Sequence, residues 1–247
     1  MTLKGKIAVV TGGSSGIGAA TARTLAKNGA HVVVGYKNGE ERAHQVIDAL
    51  DGEGHTALHM ALEDGKSVRD FAGQVGDRYG RTDILVNCAG FTHPIPHANL
   101  EALTDEIMDA MLIANVRGPY SVIKAFAPLL NASGDGVVVS VSSVSAFTGS
   151  GSSIAYCACK AALDTMTISL ARVMGPKVRL LCVSPGAVAT DFVPGRDRSA
   201  LEKIAASTPL KRVIEPEDVA SAIMACVTGL KTSTGVRVII DGGRFLG

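Results

Sequence analysis

Short, wholly apolar runs alternate along this chain with longer stretches in which apolar residues recur every three or four positions. "KIAVVTG" (6–12), "AHVVVGY" (30–36), "HTALHM" (55–60), "TDILVNCAG" (82–90), "GVVVSVSS" (136–143), "KVRLLCVSPG" (177–186) and "GVRVIIDGG" (235–243) read as strands. The third is the weakest of them. The intervening segments read as helices: one opening in "GIGAATARTLAKNG" and stopped by Gly29, others over about 40–50, 66–79, 101–130, 153–174 and 216–228. Strands apolar on both faces belong in a parallel sheet covered on both sides, and right-handed crossovers wind helices over each face. The pattern predicts an α/β, doubly wound fold with seven parallel strands in the order 3-2-1-4-5-6-7. Ligands in such a sheet lie beyond the carboxyl ends of the strands.

No linker, repeat or low-complexity segment interrupts the alternation, so residues 1–247 are expected to form one domain. Lys and Arg number 24 against 23 Asp and Glu, without a block of one sign, which gives no support to nucleic-acid or membrane-surface binding. The start "MTLKGKIAVV" lacks the pattern of a secretory leader, and no apolar stretch approaches the ~20 residues of a membrane span. Cys88, Cys157, Cys159, Cys182 and Cys226 lack disulfide-framework spacing and read as buried thiols. A cytoplasmic location is the expectation. "HPIPH" offers His93 and His97, but two prolines deny helical ligand spacing and no third ligand is evident, so no metal site is expected.

"TGGSSGIG" (11–18) joins the first strand to the first helix. Gly12, Gly16 and Gly18 would let backbone approach a pyrophosphate, whose charge suits the free N–H groups of a helix N-terminus. Further motifs follow in order: "NCAG" (87–90), a Ser ending the fifth strand at Ser143, "YCACK" (156–160), "PGAVAT" (185–190) and "DGG" (241–243). Together they resemble the classical short-chain dehydrogenase/reductase family across essentially the whole chain. The resemblance implies a Rossmann fold and an NAD(P)(H)-dependent oxidoreductase interconverting a carbonyl and an alcohol. It also implies dinucleotide contacts at Gly12, Ser14, Ser15, Gly16, Ile17, Gly18, Asn87, Ala89, Gly90, Pro185, Gly186, Val188 and Thr190. Similar proteins are commonly homotetramers.

Tyr156 and Lys160, four apart, share a helix face about 6 Å apart along the axis. A free phenol titrates near ~10, and a lysine ~4 Å away contributes ~4 kcal/mol toward phenolate only at an effective dielectric of about 20. The pair therefore needs a partly dry cleft. By resemblance Tyr156 is the proton donor or acceptor, Ser143 orients the substrate oxygen, and Lys160 holds the nicotinamide ribose and lowers the Tyr156 pKa. Ser143 is selected by its thirteen-residue spacing from Tyr156, with a turn cap as its alternative role. Asn115 sits mid-helix, where Asn is disfavoured. In similar enzymes an Asn there distorts the helix and holds a water relay to the lysine.

Strand two ends in Tyr36 and Lys37, with no acidic residue to hold ribose hydroxyls, so NADP(H) is the preferred cofactor and NAD(H) remains open. Relatives often carry Asp where this chain has Ala61, which leaves the adenine contacts open. Phe91, Phe147 and Phe192 follow strands four, five and six and are candidate substrate-lining residues for a small carbonyl or alcohol. Residues of about 191–212 form the expected substrate lid. "TPLKRVIEPEDVA" is in the style of 3-oxoacyl-(acyl-carrier-protein) reductases, the alternative function. The stretch "LLNASGDG" (129–136) lacks the basic residues that a carrier protein would meet, though Arg172 remains. A reading of another class is a cofactor-binding sensor or subunit without catalysis; the filled Asn-Ser-Tyr-Lys set argues against it.

Overall fold

The structure, a computed structural model, describes residues 2–246. Its elements run β1 (Ile7–Thr11), α1 (Gly16–Lys27), β2 (His31–Tyr36), α2 (Glu40–Asp48), β3 (Thr56–His59), α3 (Gly65–Tyr79) and β4 (Ile84–Asn87). Then come α4 (Asp105–Leu112), a π-helical turn (Ile113–Arg117), α5 (Gly118–Ser133), β5 (Gly136–Val141), α6 (Ser145–Thr148), α7 (Ile154–Met174) and β6 (Val178–Pro185). The chain finishes with α8 (Arg198–Ala206), α9 (Pro216–Thr228), β7 (Val236–Ile240) and a 3₁₀ turn (Arg244–Leu246).

The strands make one parallel sheet in the order β3-β2-β1-β4-β5-β6-β7, a doubly wound Rossmann fold. Alternation along β1 shows why both faces are covered. Ala8 and Val10 join the core beneath α1 and α9, whereas Val9 joins the opposite core beneath α3 and α5. With every residue of β1, β4, β5 and β6 buried, neither face can be left to water. β3 is a half-buried edge of four residues, which accounts for its weak apolar signal.

Three expectations need correction. The helical region expected over 101–130 is two α-helices with a π turn between them, and α4 starts where Thr104 accepts from the Ile107 N–H. The polar stretch after β6 contains α8, capped by Asp197 accepting from Ala200 N–H at 2.8 Å. Finally, α7, at 21 residues, is long and apolar enough by length and composition to cross a membrane. It packs against β6 and carries Lys160 and Asp164 buried along it, which is the geometry of a core helix.

The sheet order reverses between β1 and β4, so their carboxyl ends part and open a crevice. Thr11 ties the two sides of that opening together. Its hydroxyl accepts from the N–H groups of Cys88 and Ala89, each at 3.1 Å.

Candidate active site

A cleft of about 1590 Å³ follows the carboxyl edge of the sheet. Drug-sized sites occupy about 300–1,000 Å³, so the space suits a dinucleotide with a second molecule beside it. Its floor at the switch point is the turn between β1 and α1. Ser15 is the N-cap of α1 yet makes no side-chain capping bond, and no acidic residue lies in the first turn. The helix N-terminus thus keeps free N–H groups and an unopposed positive end. A Cβ on Gly18 would lie 2.2 Å from the Gly12 carbonyl oxygen, and one on Gly12 would lie 2.9 Å from Ala89 Cα. This close-packed, uncapped cradle fits a pyrophosphate.

Of the residues singled out from the sequence, Gly12, Ser14, Ser15, Gly16, Ile17 and Gly18 line the cleft, as do Tyr36, Lys37, Ala89 and Gly90. Pro185, Gly186, Val188 and Thr190 line it from the β6 side. Ser143, Tyr156 and Lys160 stand on its wall, with Phe91 and Phe192 near them. Three residues do not reach the cleft surface. Asn87 is buried in β4, both polar atoms of its amide lacking a protein partner. Asn115 lies behind Gly90, a Cβ on which would be 2.5 Å from the Asn115 amide oxygen. Phe147 is the third: it packs edge-on to Phe245, ring centres 4.5 Å apart, beneath the Arg237 guanidinium, so Phe245 replaces it on the cleft wall.

Local sequence fixes the Tyr156 position. Ser153 caps α7 by accepting from the Tyr156 N–H at 3.2 Å, which puts Tyr156 in the first turn and Lys160 one turn deeper. Ser143 accepts from the Ser145 N–H at 3.1 Å, the turn-cap role, and this leaves the hydroxyl proton free to donate into the cleft. Asn115 occupies the middle of the π turn, its Nδ2 donating to the carbonyls of Phe91 and Met111, each at 3.0 Å. Its Oδ1 is buried without a partner.

Burial dominates the electrostatics of the pair. Burial raises the Tyr156 phenol well above its usual range, while the hydrogen-bonded Ser143 hydroxyl and the charge of Arg196 pull it down. The Lys160 ammonium donates to the Val141 carbonyl at 2.8 Å and lies 5.6 Å from the centre of the Tyr156 ring. Burial also lowers the Lys160 pKa, against a weaker upward pull from Cys88 and other neighbours including Asp164. Cys88, on the cleft wall, has its thiol pushed up to about 12 by burial, so it is protonated near neutrality and a poor nucleophile.

Several lining residues carried no local sequence signal. Arg196, from the segment before α8, reaches the neighbourhood of Tyr156. Arg42 of α2 points back over Gly39. At the β2 end, Lys37 forms an ion pair with Glu63, and burial together with the nearby Glu40 raises the Tyr36 pKa. Met60, Leu62 and Glu63 line the far end, whereas Ala61 is turned into a hydrogen bond from its N–H to Ser67. His93 is exposed; His97 is half-buried, a correction to the solvated loop expected there. Among the described residues, no three possible metal ligands gather.

Residues 12–244 match the family profile described as enoyl-(acyl carrier protein) reductase. The chain is 38% identical over 246 residues to a Streptomyces violaceoruber protein named as ketoacyl reductase 2 of the granaticin polyketide synthase, covering 97% of this chain and 96% of the relative. It is 32% identical over 249 residues to a 3alpha-hydroxysteroid dehydrogenase of Mediterraneibacter gnavus, covering 98% of each. A short-chain dehydrogenase from Burkholderia cenocepacia, solved in complex with NADP, superposes with a TM-score of 0.89 at 33% identity, covering 99% of this chain and 100% of that one.

Proposed function

Because the chain belongs to the short-chain dehydrogenase/reductase family, oxidoreductases acting on CH–OH and carbonyl groups, we propose that it reduces a small-molecule ketone with NADP(H), Tyr156 serving as proton donor. The observation that carries this reading is that Ser143 and Tyr156 stand together on the cleft wall, with Lys160 one helical turn deeper and the uncapped α1 N-terminus in the same cleft. When bound, the dinucleotide supplies or accepts a hydride at the nicotinamide ring. Ser143 donates to the substrate oxygen and orients it. Tyr156 passes its proton to that oxygen as the carbonyl carbon takes the hydride, giving an alcohol. Lys160, anchored by the Val141 carbonyl, has further N–H donors for ribose hydroxyls. Asn115, with its buried free Oδ1, is the residue placed to hold a water behind Gly90.

The two named relatives act on different carbon skeletons, a ketoacyl group and a steroid, so neither fixes the substrate. The segment over 191–212 is proposed to act as the lid, with Phe192 set 5.8 Å from the Tyr156 ring. Consumption of NADPH on addition of a panel of aliphatic, aromatic and cyclic ketones tests the enzymatic reading. Cofactor binding without turnover of any of them would favour the sensor or subunit reading. Exposed Val236 and Ile239 on β7 support the proposal of a homotetramer, which light scattering reads directly.

The choice of NADP(H) rests on charge. Tyr36 ends β2 where an acidic residue would hold ribose hydroxyls, and two cations line that end of the cleft. Lys37 is already paired with Glu63, whereas Arg42 makes no ion pair among the described residues. Arg42 is therefore the stronger candidate for the 2′-phosphate. Arg42→Ala is expected to weaken NADPH binding by about 10- to 100-fold, the worth of one charge-assisted contact, with little change for NADH. Fluorescence titration with both cofactors checks this; equal loss for both would remove the 2′-phosphate assignment.

A further inference from the structure

Two arginines line the cleft on the side of Phe192 and Phe245. Arg196 comes from the segment between β6 and α8, and Arg244 from the 3₁₀ turn after β7. Neither makes an ion pair among the described residues. Arg196 is half-buried, Arg244 is exposed, and the like charge of Arg244 acts on Arg196. Burial and the like charge of Arg244 both act to lower its pKa, so the guanidinium is held where its charge is poorly solvated and opposed.

The nearby charges do not quench it. Asp197 is engaged as the cap of α8, and Asp241 accepts from the N–H groups of Gly243 and Phe245 at 2.8 and 2.7 Å. Arg198 is paired with Glu215 and Glu202. Asp191 is exposed on the rim. Phe192 and Phe245 add apolar walls beside the two arginines. Both cations thus line the cleft that holds Tyr156 without an ion-pair partner among the described residues.

We propose that the substrate carries an anionic group, a carboxylate or a phosphate monoester, which Arg196 and Arg244 bind while Tyr156 and Ser143 face the reacting carbonyl. Resting on the ketone-reductase reading above, this makes Arg196 a specificity-determining residue. The substrate is then a charged oxo compound, ketone at one end and anion at the other. Reduction would leave the anion untouched: with NADPH as the hydride source and Tyr156 as the proton source, the carbonyl becomes an alcohol, NADP+ remains, and the product keeps its carboxylate or phosphate. Phosphate is also present on the cofactor, and the test separates the two sources.

The experiment measures kcat/KM with NADPH for keto acids of increasing chain length, each paired with its primary amide. The wild-type enzyme is expected to prefer the acid by about 10- to 100-fold at the best length, the span of one or two charge-assisted contacts. In Arg196→Ala and in Arg244→Ala this acid-to-amide ratio falls toward unity, and Arg196→Lys restores part of it. A purely structural role would lower both members of each pair together and leave the ratio unchanged. A wild-type ratio near one, with the amides turned over, overturns the anion site while leaving the reductase reading intact. NADPH affinity falling by the same factor as the ratio overturns it too, assigning the arginines to the cofactor phosphates. Absence of turnover with every acid and amide would strike the reductase reading itself.

Discussion

Tyr156→Phe lowers turnover by about 10²- to 10⁴-fold while leaving NADPH affinity within about twofold, the loss typical of removing a general acid. The change deletes one oxygen. Phe keeps the ring that packs against Phe192 and the cluster of Met111, Ala155 and Cys159, so the fold has no reason to move. The effect should appear in kcat rather than KM, because the proton is transferred only in the transition state. Burial raises the phenol pKa, so the group is protonated across the neutral range. Ketone reduction, which needs the proton present, is therefore expected to hold steady through neutrality and decline only at alkaline pH. Alcohol oxidation needs the phenolate and should climb with pH over the same interval. Stopped-flow rates in both directions check the opposite slopes; a variant retaining more than about a tenth of wild-type turnover would remove Tyr156 from the chemistry.

The positive charges near the phenol determine how far that climb begins above neutrality. The Lys160 ammonium is 5.6 Å from the ring centre and donates to the Val141 carbonyl, and the Arg196 charge also favours the phenolate. A bound dinucleotide brings ribose hydroxyls for the ammonium and displaces water, and both alter the balance. A sequence can place Tyr and Lys one turn apart but cannot say which way either head group points. For Lys160 that orientation comes from the Val141 carbonyl of β5, far from the pair in sequence.

The same division holds through the molecule. β1, β4, β5 and β6 were legible because burial on both faces removes all polar alternation, and the glycine turn because its spacing follows directly on β1. Helix α8 was not legible, since its mixed nine residues gain order from the Asp197 cap and from Arg198 reaching Glu215 seventeen residues away. The odd Asn115 marked the place where α4 passes into a π turn, yet nothing local announced that turn's extent. Phe147 looked equivalent to Phe91 and Phe192 by its place after a strand. Arg237, brought in by β7, and Phe245 engage its ring instead. Arg42 and Arg196 are ordinary surface cations by sequence, and only the path of the chain puts them in the cleft.

Gly18→Ala is the second large effect, and its sign is fixed by backbone rather than by side chains. The new Cβ would sit 2.2 Å from the Gly12 carbonyl oxygen and 3.0 Å from Gly13 Cα, contacts with no flexible atom to yield. Either the turn opens or α1 slides outward, and each displaces the N–H groups that would meet a pyrophosphate. Overpacking of this kind costs about 1–3 kcal/mol, which for a chain of this size lowers Tm by roughly 2–12 °C. NADPH affinity should fall at least about 100-fold, because several oriented N–H donors are lost together rather than one. Gly73→Ala supplies the contrast. Gly73 lies exposed inside α3, where a Cβ would meet nothing within 4 Å, so alanine should raise stability by about 0.8–1 kcal/mol and Tm by roughly 2–4 °C, with cofactor affinity unchanged. Calorimetry and NADPH titration of the two variants give opposite shifts in Tm and a loss of affinity in Gly18→Ala alone. Near-wild-type NADPH affinity in Gly18→Ala would mean that the dinucleotide does not rest on this turn, since the turn cannot accept that methyl group and keep its shape.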